Sequence, residues 1–148
     1  MSRYFEDFSV GEEVISPGYT FTESSIVDFA LNYDPQRFHI DREAAAVSPY
    51  GGLIASGFHT MVIAFRMFFQ MGFITGTGLG SPGIDQLRWT APVRPGDTIR
   101  TKVTIREKRE SRSRPEMGVM HLAFAAYNQR DEEVMTFTTI AFIARNPG

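Results

Sequence analysis

The chain has 148 residues, the size of one domain, and at 43% hydrophobic and 22% charged it has the balance of a folded globular protein. It contains no cysteine, which excludes a disulfide framework, thiolate catalysis and every cysteine-based zinc site. Fifteen basic and seventeen acidic side chains leave a formal charge of −2, so no net positive field draws the protein to nucleic acid. The acidic start, Met1 to Asp7, lacks the apolar run of a signal peptide, and no apolar stretch approaches the ~20 residues that span a bilayer. These features lead us to expect a soluble, cytoplasmic, single-domain protein with no membrane partner.

Residues 1–21 read as a leading segment with a short strand near Glu13-Val14-Ile15, punctuated by Pro17-Gly18. Thr22 is a candidate N-cap for a short amphipathic helix carrying Ile26, Val27, Phe29 and Ala30 and ending near Asn32. Residues 33–40 read as irregular, because Pro35 biases Asp34 away from helical geometry. Asp41 can cap a second short helix through Ala46, stopped by Ser48-Pro49-Tyr50-Gly51-Gly52. Residues 57–71 are apolar on nearly every face, with Phe58, Met61, Val62, Ile63, Phe65, Met67, Phe68 and Phe69. Such a helix is expected to be buried at the centre of the fold. After a glycine-rich stretch the period changes to two. Strands are expected at 84–93, 98–109, 118–128 and 133–144, with Ile99, Thr101, Val103 and Ile105 sharing one face. Consecutive strands joined by short turns imply an antiparallel sheet, so the expected class is α+β, a sheet wrapped around one helix.

Several motifs have plain structural readings. Gly78-Leu79-Gly80-Ser81-Pro82-Gly83 spells a dinucleotide fingerprint, but it follows a helix and precedes a strand, the reverse of the context the fingerprint needs. Arg106, Lys108, Arg109, Arg112 and Arg114 cluster at a hairpin end among Glu107 and Glu110, as a solvated loop tip does. His121 lies in a strand among apolar residues and reads as structural. No histidine pair has metalloprotease spacing and no serine elbow is present, so neither metal nor serine-hydrolase chemistry is supported. His59, two residues after Gly57 at the start of the apolar helix, is open to either a structural or a functional reading, and Asp34 and His39, five residues apart in a loop, are an acid and a base that could act on one water.

Tyr33-Asp34-Pro35-Gln36-Arg37-Phe38-His39-Ile40-Asp41, followed by Gly51-Gly52-Leu53-Ile54-Ala55-Ser56-Gly57-Phe58-His59-Thr60, resembles the MaoC-like dehydratase family, which includes the (R)-specific enoyl-CoA hydratases. The resemblance extends to Phe8-Ser9-Val10-Gly11-Glu12 and to Arg88-Trp89 and Pro92-Val93-Arg94-Pro95-Gly96-Asp97. It implies a single hotdog domain over 1–148, in which a long antiparallel sheet wraps a central helix. The family's catalytic Asp and His fall on Asp34 and His39. The resemblance also implies oxyanion or substrate contacts at Gly57, Ser56, Gln36 and Phe38. Gly57 would lend an open amide at a helix start to the thioester oxygen, and a side chain there would crowd the ligand. Two departures stand out: Gln36-Arg37 replaces the family's Asn-Pro, and Phe65 occupies a position where some relatives carry a small polar residue. The implied activity is reversible hydration of a 2-enoyl thioester, with coenzyme A as part of the substrate and no separate cofactor or metal. An acyl-CoA thioesterase and a non-catalytic acyl-thioester binding subunit are the alternatives, the latter if Asp34 and His39 diverge in space. A homodimer or dimer of dimers is implied, and the strand 134–144, rich in Val, Phe, Thr and Ile, is a candidate for the edge that pairs.

Overall fold

The computed structural model describes Ser2–Gly148. Its backbone is a six-stranded antiparallel sheet with one long helix against it. The strands are β1 (Glu13–Ile15), β2 (Tyr19–Thr20), β3 (Gly83–Trp89), β4 (Thr98–Glu110), β5 (Met117–Tyr127) and β6 (Glu133–Ala144). Four helices lie between β2 and β3: α1 (Glu23–Tyr33), α2 (Arg37–Ile40), α3 (Arg42–Ala46) and α4 (Gly57–Gln70). The sheet order is β1-β4-β5-β6-β3, with β2 also pairing to β4, so the meander β4-β5-β6 forms the middle. The expected α+β arrangement is therefore present.

Alternation decides which way the sheet faces. Ile99, Thr101, Val103 and Ile105 of β4 are all buried, and they join Leu122 and Phe124 of β5 and Met135 and Phe137 of β6. Phe68 of α4 packs edge-on against Phe124, which stacks in turn on Phe137. Each such buried aromatic contributes on the order of 1.5–3 kcal/mol by leaving water, which makes this stack the mechanical anchor of α4. The Arg94–Asp97 turn before β4 is held by Asp97, whose carboxylate accepts from the Arg94 amide at 2.8 Å and from Gln129 Nε2 at 2.9 Å.

Four expectations need correction. First, α4 is not buried all round. His59, Thr60, Ile63, Ala64, Met67 and Phe68 face the core, whereas Phe58, Val62, Phe65 and Phe69 form a stripe 36–52% exposed. The sheet covers one side of the helix only. Second, the strand 134–144 is not an edge: β6 pairs with both β5 and β3, and the edge on that side of the sheet is β3, whose residues are nearly all exposed. Third, β3 ends at Trp89 rather than 93, because Thr90 and Ala91 turn away with their amides on the Val134 carbonyl and Pro92 has no amide to pair. Fourth, residues 37–40 are a single helical turn, not irregular chain.

Outside the core, the basic cluster is partly spent on structure. Lys108 Nζ donates to the carbonyls of Phe5 and Phe8, and Arg114 pairs with Glu116. His121 is half-buried on β5, opposite Ile140 of β6 on one side and 3.7 Å from Glu107 of β4 on the other. The glycine-rich segment follows α4 and leads into β3, the order that denies it a phosphate-binding role. Among the described residues, no helix is long and apolar enough to cross a membrane.

Candidate active site

α1 begins where Thr22 Oγ1 accepts from the Ser25 amide and ends at Asp34, whose amide closes on Ala30. Pro35 cannot extend that helix, so the chain turns and restarts as α2, which carries His39 inward. Asp41 ends α2 and caps α3 through the amides of Glu43 and Ala44. The extended segment 53–56 is pinned on both sides: the Ile54 amide donates to the Phe38 carbonyl and the Ala55 amide to the Val93 carbonyl. These constraints deliver three pieces of backbone to one place: the end of α1, the turn of α2 and the start of α4.

Asp34 and His39 meet there, with Oδ2 3.3 Å from Nε2 and both side chains largely shielded from solvent. The other ring nitrogen, Nδ1, lies 2.7 Å from the Ile54 carbonyl. A carbonyl only accepts, so Nδ1 carries a proton and Nε2 is left to face Asp34. In the neutral ring Nε2 is an acceptor; a proton on it makes the ring an imidazolium. Asp34 is held at each oxygen: Ser56 Oγ donates to Oδ2 at 2.7 Å and Gln36 Nε2 donates to Oδ1 at 2.8 Å. Burial pushes the Asp34 carboxyl up, but the hydrogen bonds from Ser56 and Gln36 and the neighbouring His39 outweigh it. The group ends below the usual aspartate value of 3.8. It is a carboxylate at neutral pH.

Both side chains open into a cleft of about 470 Å³, a volume in the range of small-ligand sites. Gly57, Gln36 and Phe38 line it, and Phe38 packs edge-on against the His39 ring. Ser56 does not line it. It is fully buried behind Asp34, so its expected substrate contact is replaced by a contact to the carboxylate. Gln36 likewise spends an amide proton on Asp34. Gly57 opens α4, and its missing side chain serves a neighbour: a Cβ there would run into the indole of Trp89 before reaching any ligand. Trp89 itself, half-exposed and edge-on to Phe58, forms a wall of the cleft together with Thr90 and Tyr50. Trp89, Tyr50 and the Ile54 carbonyl were not legible as site groups. The first two come from an edge strand and a loop, and any residue could supply the third.

A family model described as "MaoC like domain" matches residues 7–124. Among curated relatives, a 3-hydroxybutyryl-CoA dehydratase from Methylorubrum extorquens is 33% identical over 121 residues, covering 78% of this chain and 71% of that one. The crystal structure of a MaoC-like dehydratase from Rhodospirillum rubrum overlays with a TM-score of 0.89 at 33% identity, covering 99% of this chain and all of that one. A Mycobacterium tuberculosis protein described as a double hotdog fold overlays with a TM-score of 0.78 at 23% identity, covering 99% of this chain and 45% of that one. The wrapped-helix arrangement is the hotdog fold.

Proposed function

Because the chain belongs to the MaoC-like domain family, we propose that it is an enoyl-thioester hydratase/dehydratase, adding water reversibly across the double bond of a 2-enoyl-CoA. The observation that carries this reading is the 3.3 Å approach of Asp34 Oδ2 to His39 Nε2 in the wall of a cleft that Gly57, at the start of α4, also lines. Divergence of these side chains would have favoured a binding subunit; they converge.

In the hydration direction Asp34, kept ionised by Ser56 and Gln36, accepts a proton from water as its oxygen bonds to C3. His39, protonated at Nε2 while Nδ1 rests on the Ile54 carbonyl, gives its proton to C2. The pair is then carboxylic acid and neutral imidazole, and transfer of the proton from Oδ2 to Nε2 restores it. Negative charge builds on the thioester oxygen between these steps. The first-turn amides of α4, at the positive end of the helix dipole, stand ready to receive it. Coenzyme A enters as part of the substrate, and no separate cofactor or metal has a step to perform.

The active unit in this reading is a homodimer, alone or paired again as a dimer of dimers. Among the described residues β3 offers an unpaired strand edge on which Ile84 is exposed and Trp89 packs edge-on against Phe58 of the α4 stripe, an apolar surface that a second copy would cover. The test is one assay with a short 2-enoyl-CoA. Loss of enoyl absorbance with no free thiol supports the hydratase, release of thiol means a thioesterase, and neither means a binding subunit.

A further inference from the structure

Resting on the hydratase reading, we propose that Ser56 is a positioning residue that joins the two halves of the site: its hydroxyl is committed to Asp34 and so withheld from the helix it precedes, fixing the carboxylate while leaving the first amides of α4 open to the thioester oxygen. Serine at an N-cap ordinarily accepts a hydrogen bond from an amide of the first turn. Thr22 does this for α1 and Asp41 for α3. Ser56 occupies the same position before α4 and makes no such bond. Its hydroxyl proton goes instead to Asp34 Oδ2 at 2.7 Å.

Two consequences follow from one side chain. Among the described residues the amides of Gly57, Phe58 and His59 have no partner, since the first bond of the helix is Thr60 to the Ser56 carbonyl. Unmatched amides at a helix start are the donors an oxyanion needs, and a capping hydroxyl would compete for them. At the same time Asp34 is locked at the oxygen that faces His39, with Gln36 holding the other. Full burial of Ser56 keeps water from replacing its hydroxyl. Ser56 therefore never touches substrate; it acts through Asp34 and through what it leaves undone at α4.

The experiment compares wild type with Ser56→Ala, Ser56→Cys and Ser56→Thr by two readouts. One is the titration of the Asp34 carboxyl followed by carbon NMR, which needs no turnover. The other is the acid limb of kcat/KM for a short 2-enoyl-CoA. A hydrogen bond to a charged group is worth enough to move a titration by roughly 1–2 pH units. We expect both the carboxyl titration and the acid limb to move up by about that much in Ser56→Ala, with kcat affected more than KM. Ser56→Thr, which keeps the hydroxyl, should stay near wild type. Ser56→Cys, a weak donor of similar volume, should fall between and carries the comparison if the alanine variant fails to fold. A folded Ser56→Ala or Ser56→Cys protein whose Asp34 titrates as in wild type overturns the role of Ser56 and leaves the hydratase reading standing. Wild-type protein that hydrates no enoyl-CoA overturns the hydratase reading itself, and the positioning role with it.

Discussion

His59 should make the protein acid-sensitive in a window of its own. The ring is 4% exposed, stacked on Phe29 with centroids 4.5 Å apart and edge-on to Phe21 at 4.7 Å, and its Nδ1 has no hydrogen-bond partner among the described residues. Burial among these aromatics pushes the imidazole from 6.5 down to about 4. Between those values the unfolded chain holds a proton that the folded chain does not. Stability is thus fully present above 6.5 and is lost as pH falls through the window toward 4. At 1.36 kcal/mol per unit, a drop of this size is worth about 3 kcal/mol in all, a large share of a typical domain's stability. The perturbation is His59→Leu, which keeps an apolar side chain of similar bulk and removes the titrating group. Urea unfolding of both proteins at pH 7 and pH 4.5 isolates the contribution of His59, because Asp34 and the other carboxyls are common to both. The variant should lose about 2–3 kcal/mol less than wild type between the two pH values. Parallel losses in the two proteins would refute the claim that a buried neutral imidazole sits there.

Two further outcomes test the cleft and the surface. Gly57→Ala should displace the indole of Trp89, the only tryptophan, giving a red-shifted emission together with a reduced hydration rate; unchanged emission would place the indole elsewhere. Adding Trp89→Ala to Gly57→Ala should recover the stability lost, because the clash partner is gone. In light scattering, Ile84→Lys on β3 combined with Phe65→Asp on α4 should turn a dimer into a monomer. A dimer that survives both changes excludes this face as the interface, and a fully active wild-type monomer at micromolar concentration excludes the dimer requirement.

How much of this could be read from the chain alone depended on how local the cause was. Strand alternation in β4 and the caps at Thr22 and Asp41 depend on neighbours within a few residues, and they appear where expected. The helix α4 was harder. Its composition is apolar on every face, yet only one face meets its own sheet, and composition cannot say which. The edge strand was misplaced for a similar reason: β6 looks more prone to pairing than β3, but pairing order is a property of the whole sheet. At the site, the spacing and the family resemblance singled out Asp34 and His39, whose side chains do meet. The family resemblance alone places Ser56 among the substrate contacts. Its true partner lies 22 residues earlier in the chain, a distance that only the fold closes. Gln36 is a local case: it lines the cleft and also donates to Asp34, two residues before it.

The central claim is that Asp34 and His39 act as a unit on one water. A double-mutant cycle on the hydration of a short 2-enoyl-CoA tests it most directly, using Asp34→Asn, His39→Gln and the two together, each checked for fold by circular dichroism. Residues that share one step are strongly non-additive. Each single change should remove most of the hydration rate and the double change should add little to either. Folded single variants that lose rate independently, with effects that sum in the double variant, would contradict the shared-water mechanism.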